Sequence, residues 1–305
     1  MTFRINSRAD QFLLAADRLQ AHAQKTQSEI SSGIRVSAAS DAPADVGTIL
    51  GLQNRLARSV QSRSNITRYQ AEVDASELAL TKAVELLDKA KVLATTAGSD
   101  LPTVKRSTLA GQVEELLQQM VALAGTNSDG RFVFSGANDQ RAPYTTDLQQ
   151  PNGTLRQAVI FPARQVETVD GITLPQPLTA DAVFDATDAQ GATAPSNVFA
   201  ALNRLRLALV QDNVGEVRAA SDNLTAGAAH LNEKLAYYGN LQNRLEDASN
   251  LAAKFELNWQ QTLSELRDTD IAAAAVDLTQ TRTHLDATYG AQAQRPAVSL
   301  FDYLK

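Results

Sequence analysis

Residues 66–94 read ITRYQAEVDASELALTKAVELLDKAKVLA, and their apolar and small residues recur in steps of seven. Two interleaved lines of this repeat fall on one helix face: Ile66, Val73, Leu80, Leu87 and Ala94, and Tyr69, Ser76, Ala83 and Ala90. This is the a/d spacing of a helix that packs along a partner helix. The stretch therefore predicts a long helix with one buried face.

Residues that favour helix starts and stops mark the ends of this helix. Asp41 is predicted to cap its N-terminus, with Pro43 in the first turn, and Gly98 is predicted to end it. A helix continuous from Ala42 would be about 80 Å long at ~1.5 Å per residue. A shorter helix, whose apolar positions run from Leu109 to Leu123, is predicted to end at Gly125.

The N-terminal segment carries a weaker repeat of the same kind. Ser7 is the predicted cap, and Ser32-Gly33 the predicted stop. The two lines of the repeat consist largely of small residues: Ala9, Ala16, Ala23 and Ile30, and Phe12, Leu19, Thr26 and Gly33. Such a helix buries little apolar area and needs a partner. We expect residues 1–40 and about 270–305 to be poorly ordered in an isolated subunit.

The C-terminal half mirrors the N-terminal half. One long repeat contains Tyr238, Leu241, Leu245, Ala248, Ala252, Phe255, Trp259, Thr262 and Leu266, and a last helix contains Ile271, Ala275, Leu278, Leu285 and Tyr289. An antiparallel return of these helices onto the N-terminal helices would close both sets of apolar faces. The sequence therefore predicts a long antiparallel coiled coil or helical bundle built from both termini.

The middle of the chain differs in composition. Six of the nine prolines lie between Pro143 and Pro195, where they exclude long helices. Short strands are predicted at 131–134, 155–161 and 164–169, the last followed by a tight turn at Asp170-Gly171. The predicted fold is mainly α with a small central β-rich domain (α+β). Its segments are 1–40, 41–130, 131–195, 196–268 and 269–305.

Composition excludes several kinds of chemistry. The chain has no cysteine, which rules out disulfides and thiolate sites, and a net charge of −6 without a Lys/Arg cluster argues against nucleic-acid binding. No apolar run approaches the ~18 residues of a membrane span, so no membrane insertion is expected. His22, His230 and His284 have no second ligand at metal-site spacing. Asp268 and Asp270 are interpreted as caps of the last helix, and we expect no cofactor, no metal and no catalytic residue.

Three stretches carry a family resemblance. ISSGIRVS at 30–37, followed by SDAPAD at 40–45, resembles the N-terminal signature of the flagellin superfamily. GRFVFSG at 130–136 and the ending SLFDYL at 299–304 resemble the hook–filament junction branch, the hook-associated proteins of type 3. The residues that carry these motifs are Ser31, Ser32, Gly33, Asp41, Pro43, Gly130, Arg131, Phe134, Gly136, Leu300, Asp302 and Leu304.

The resemblance implies a function and a location. It implies a structural, non-enzymatic adaptor in the extracellular flagellum, between the zone of hook-associated protein type 1 and the flagellin filament. The implied partners are further copies of the chain in a ring or tube, hook-associated protein type 1, flagellin, the flagellar type III export apparatus and an export chaperone. The alternatives are a minor flagellin and, more remotely, a flagellum-associated hydrolase.

The resemblance also suggests where assembly contacts lie. Terminal helices of this family pack in the core of the assembled tube, while the central domain faces outward. We therefore predict that apolar residues of the two terminal helices form the assembly interface: Phe12, Leu19, Ile30, Leu278, Leu285 and Tyr289.

Overall fold

The computed structural model describes residues 6–98, 103–157, 171 and 173–293, and it is predominantly helical. The helices and strands in chain order are α1 Asn6–Ser32, α2 Val46–Ala97, α3 Thr103–Ala124, β1 Asn127–Ser128, β2 Arg131–Phe132, β3 Tyr144–Thr146, β4 Thr154–Arg156, α4 Ala180–Val183, α5 Val198–Val210, α6 Val214–Arg267 and α7 Ile271–Ala293. The predicted mainly α fold is confirmed.

The chain divides into two compact units. Unit 1 includes the described residues 6–57 and 256–293, and unit 2 lies within 58–255. The five segments predicted from the sequence are a finer division, which stays a prediction.

The seven-residue repeat of α2 forms the core of unit 2. Ile66, Leu80 and Leu87 are completely buried there, together with Tyr238 and Leu245 of α6. The same core continues through α3 and α5, which pack on each other. The apolar period identified the correct helix faces because these helices bury one stripe each.

Helix ends follow the predicted glycines. α1, α2 and α3 end immediately before Gly33, Gly98 and Gly125. At the other end of α1 the predicted cap was wrong, because Ser7 already lies inside the described helix.

The middle segment contains less strand than the sequence predicts. β1 pairs with β2 and β3 with β4, both antiparallel, in two separate ladders of two or three residues per strand. The strand predicted at 131–134 is only Arg131–Phe132, because Phe134 leaves the ladder and enters the core of unit 2. The strand predicted at 155–161 is β4 in its described part, and the one at 164–169 lies outside the described residues.

A tight hairpin joins β1 to β2. Asn127 pairs with Phe132 and Ser128 with Arg131, which leaves Asp129 and Gly130 as a two-residue turn. Both turn residues have positive φ, +50° and +79°. This geometry matches a type I′ turn, for which Asp-Gly is a preferred pair.

Unit 1 has a smaller core. Val36, Ile49, Leu52 and Leu263 are buried together, and Trp259 packs against them half-buried. Also in this unit, α1 packs along α7. The terminal segments expected to be poorly ordered are therefore paired helices within one chain over 6–32 and 271–293.

Candidate functional site

The family-type motif at 30–45 forms the connection between α1 and α2 and binds the connection between α6 and α7. The backbone N–H groups of Arg35 and Val36 both donate to the Arg267 carbonyl, at 2.8 and 3.1 Å. In return, the Thr269 N–H donates to the Gly33 carbonyl at 2.9 Å. The Arg35 guanidinium adds a bond of 2.6 Å to the Leu266 carbonyl. The two connections are thus tied together at the point where both terminal helices begin to pair.

Asp41 stabilises the first of these connections. Its carboxylate accepts from the N–H groups of Ser37 and Ala38, at 3.1 and 2.9 Å, and from the Lys25 ammonium of α1, at 2.8 Å. The hydrogen bond from Lys25 and those from the backbone hold the pKa of Asp41 well below its usual range. The prediction that Asp41 caps α2 was wrong, because its carboxylate turns back to the preceding turn and α2 begins only at Val46.

The second connection contains the two predicted caps. Asp270 accepts from the N–H groups of Ala272 and Ala273, at 3.0 and 3.1 Å, and caps α7. Asp268 instead binds the Arg267 guanidinium at 2.8 Å, which lowers the pKa of its carboxyl. The cap interpretation therefore holds for Asp270 only.

The predicted assembly residues all lie on α1 or α7. Phe12 and Tyr289 meet edge to face, with ring centroids 6.4 Å apart. Leu278 is buried, while Leu19, Ile30 and Leu285 are half-buried. The structure thus uses this stripe for packing within one chain. Its role in assembly stays a prediction.

Several large apolar side chains of α1 and α7 are exposed. Leu13 and Leu14 of α1 are 56 and 57% exposed, and Ile271 and Val276 of α7 are 56 and 58% exposed. Leu13 and Leu14 lie at one end of the helix pair, and Ile271 and Val276 lie at the other, because Phe12 contacts Tyr289 and Thr26 bonds Asp277. Exposed aliphatic side chains favour contact with another apolar surface.

The central motif is partly exposed and partly structural. Arg131 faces Asp139 across 3.5 Å. Phe134 is completely buried and packs edge to face on Phe184 at 5.3 Å between ring centroids. Leu300, Asp302 and Leu304 of the C-terminal motif lie outside the described residues.

The structure contains a polar centre that sequence reasoning missed. Asp185, between α4 and α5, accepts from Tyr144 at 2.8 Å, Asn197 at 2.8 Å, Asn152 at 3.2 Å and Arg156 at 3.3 Å. Burial raises the pKa of this carboxyl, but the four donors together lower it below its ordinary value. Each donor is distant in sequence or irregularly spaced, so no local pattern marks the group.

Three tyrosines, which the sequence analysis did not connect with each other, form hydrogen bonds to the extended stretch before α4. The hydroxyls of Tyr69 and Tyr237 donate to the carbonyls of Pro175 and Gln176. The N–H of Leu178 donates to the hydroxyl of Tyr238 at 3.1 Å. This fixes residues 175–178 against α2 and α6.

The arrangement offers little for catalysis. His22 lies beside Asp277, and His230 bonds the Ala182 carbonyl at 3.1 Å. Within the described part of the chain, no three His, Asp or Glu side chains converge as a metal site would require. None of the helices described is both long and apolar enough to cross a membrane.

Comparisons with known proteins place the two helical ends of the chain in one family. The model of the bacterial flagellin N-terminal helical region matches residues 5–139, and that of the bacterial flagellin C-terminal helical region matches residues 216–304. The flagellar hook-associated protein 3 of Escherichia coli (strain K12) is 27% identical over 302 residues, which cover 94% of each chain.

Solved structures share the fold at low sequence identity. A structure described as a flagellar hook-associated protein from Vibrio parahaemolyticus superposes with a TM-score of 0.64 at 18% identity, covering 75% of this chain and all of that one. The flagellar junction protein FlgL from Legionella pneumophila gives a TM-score of 0.54 at 15% identity, with 66% of this chain and 100% of that chain covered.

Proposed function

Because the chain belongs to the bacterial flagellin family, we propose that it is a structural subunit of the flagellum, the adaptor between the zone of hook-associated protein type 1 and the flagellin filament. The observation that carries the proposal is the match to a hook-associated protein 3 over 94% of both chains. The match includes the middle segment, which lies between the two flagellin regions at 140–215. A junction role therefore accounts for more of the chain than a generic filament subunit does.

The packing of unit 1 supports a role in assembly. The contact between α1 and α7 is built from small or half-exposed residues such as Ala16 and Leu19, and it leaves Leu13 and Val276 in water. At about 25 cal/mol per Å² of apolar surface, covering those side chains with neighbouring subunits stabilises the pair further. Unit 2 has a large core of its own, so its stability does not require apolar surface from neighbouring subunits.

The proposed partners follow from that position. They are further copies of the chain in a ring or tube, hook-associated protein type 1 on one side and flagellin on the other. Delivery through the flagellar type III export apparatus with an export chaperone belongs to the same proposal, as does a final location at the extracellular hook–filament junction. The protein is a structural component and not an enzyme.

Deletion of the gene, with complementation by the unchanged gene as control, tests the proposal. Electron microscopy should show hooks that lack filaments, and unpolymerised flagellin should accumulate in the medium. Shortened or weakened filaments would instead identify a minor flagellin. Turnover of peptidoglycan or another substrate, lost on a point substitution in the middle segment, would establish the hydrolase alternative.

A further inference from the structure

The connection between β3 and β4 contains the only asparagine–glycine pair of the chain, Asn152-Gly153. The Asn152 side-chain oxygen accepts from the Thr154 N–H at 3.3 Å, and its amide nitrogen donates to Asp185 Oδ1 at 3.2 Å. Gly153 has a φ of +74°, and a Cβ on it would lie 2.7 Å from Leu117 Cδ2. The fold therefore uses the amide of the first residue and the missing side chain of the second.

This pair is chemically labile in an open chain. The backbone nitrogen of the glycine attacks the side-chain carbon Cγ of the asparagine, because glycine has no side chain to hinder the approach. The nitrogen gives up its proton as it bonds to Cγ, the bond from Cγ to Nδ2 breaks, and the amide nitrogen leaves with a proton as ammonia. Water then opens the five-membered ring and leaves aspartate or isoaspartate at this position.

Hydrogen bonds oppose each part of this reaction in the folded protein. The attacking nitrogen is engaged, since the Gly153 N–H donates to the Gln150 carbonyl at 2.9 Å. The leaving nitrogen is held by Asp185. Ring closure requires the Asn152 side chain to rotate, and this rotation breaks its bonds to both Thr154 and Asp185.

The connection as a whole is also held in place. Asn203 of α5, only 1% exposed, donates to the Pro151 carbonyl at 3.0 Å. The Asp147 N–H donates to the Gly153 carbonyl at 3.0 Å. The reaction therefore requires a local opening that breaks several of these contacts together. We propose that Asn152 is a deamidation site that the Asp185 contact keeps unreactive, and that it reacts only when this part of the middle segment opens.

The product of the reaction favours the open state. An aspartate at position 152 places a second carboxylate where the amide now lies 3.2 Å from Asp185 Oδ1. Two carboxylates at such a distance repel each other, so a stabilising bond is replaced by a repulsion. The asparagine does not form again, because the ammonia has left. Deamidation thus makes a transient opening of the middle segment permanent, and this property does not depend on the proposed function.

Peptide mass spectrometry after incubation of the full-length protein in mildly alkaline buffer tests the proposal. Trypsin releases residues 142–156, in which Asn152 is the only asparagine. The folded protein should deamidate there at least ~10-fold more slowly than a synthetic peptide of the same residues, because only the opened fraction reacts. Asp185→Asn should raise the rate in the folded protein at least ~10-fold, and its new asparagine falls on another tryptic peptide.

Two further variants keep this test decisive. Tyr144→Phe removes one donor to Asp185 and keeps the buried ring, so it should raise the rate at least ~3-fold even if Asp185→Asn does not fold. Asp188→Asn is the control, because asparagine also caps its exposed turn, and it should leave the rate unchanged.

The effect of the product is measured separately with Asn152→Asp. This variant should speed hydrogen exchange in residues 142–156 at least ~10-fold, by repulsion from Asp185. Asn127→Asp adds the same charge at an exposed position, keeps the oxygen that accepts from the Gly130 N–H, and should leave that exchange unchanged.

Several results would overturn the proposal. These are equal rates in the folded protein and the free peptide, a rate that neither Asp185→Asn nor Tyr144→Phe raises, an equal rise in Asp188→Asn, and unchanged exchange in Asn152→Asp. None of these measurements involves hooks or filaments, so the proposed function can fail without affecting them.

Discussion

At the scale of single residues, Asp185 shows how much one carboxylate can organise. It joins β3, the loop before β4 and the start of α5 through four donors, in a segment with few backbone ladders. Local patterns cannot reveal such a group, because its partners are separated by 12 to 41 residues. Here long-range side-chain bonds replace regular secondary structure.

We expect Asp185→Asn to destabilise the protein by about 2–3 kcal/mol, since hydrogen bonds to a charged acceptor are lost and an amide N–H₂ faces other donors. The folded pKa of Asp185 is lowered, so its contribution is present above the unfolded pKa and lost as pH falls through the folded pKa. Denaturant titrations between neutral and acidic pH should show a smaller acid-induced loss in the variant. Asp188→Asn is the control, because its exposed side chain caps a turn that asparagine also caps. Equal stability of Asp185→Asn and the unchanged protein would contradict this assignment.

Gly153 is a second residue whose identity the structure explains. Its φ is +74°, and a Cβ there would lie 2.7 Å from Leu117 Cδ2 and 3.0 Å from Asn203 Cγ. Gly191 has a similar φ of +80° with no atom within 4 Å of the same position. We expect Gly191→Ala to cost about 1–2 kcal/mol from backbone conformation alone. Gly153→Ala should cost a further ~1–3 kcal/mol from overpacking. Unfolding free energies of the two variants measure the difference, and equal values would mean that Leu117 moves aside freely.

At the scale of elements, the sequence was most informative for the long helices. The repeat of α2 selected the residues that are buried, from Ile66 to Ala94, because a helix that buries one stripe must show it in its sequence. The Asp41 cap failed for a physical reason. A carboxylate can cap either the helix that follows or the turn that precedes it, and Lys25, 16 residues away, favours the turn. The expectation that the terminal segments are poorly ordered in an isolated subunit stays a prediction, and it rests on apolar area alone, without such polar ties.

Helices of the two units should respond differently to a charge. Leu80 is completely buried in unit 2. Leu80→Asp should therefore lower the unfolding midpoint sharply, because burying an unpaired charge costs several kcal/mol. Leu19 and Leu285 are half-buried in unit 1. Leu19→Asp or Leu285→Asp should leave the main unfolding transition nearly unchanged and abolish filament growth on hooks. Melting curves beside a motility assay measure both effects.

The matched control lies one residue away on the same helix. Gln20 is exposed, and Gln20→Asp adds the same charge outside the contact. It should change neither melting nor motility. If Leu19→Asp and Leu80→Asp lowered the midpoint equally, the distinction between helices for assembly and helices for folding would be wrong.

At the scale of the whole molecule, the two units differ in the contacts that stabilise them. Unit 2 contains an extensive core with aromatic contacts and the Asp185 centre. Unit 1 relies on a small core around Val36, on the tied connections, and on a helix pair of alanines, threonines and half-exposed leucines. Ordering a residue costs roughly 1–2 kcal/mol, and this helix pair has little buried area to offset that cost.

Hydrogen exchange of the free subunit should therefore separate the units. Local opening requires only the loss of the contacts that an element makes, so α1 and α7 should exchange at least ~100-fold faster than 66–94 of α2. The proposed assembly would cover Leu13 and Val276, so it should slow exchange in 6–32 and 271–293 while leaving the α2 core unchanged. Mass spectrometry of peptides from a verified monomer and from the assembled form measures the exchange rates of these helices in both states. Equal protection of α1 and α2 in the monomer would show that unit 1 is already stable alone. The outward apolar side chains would then have to be explained by a partner that binds an ordered surface, not by neighbours that complete the fold.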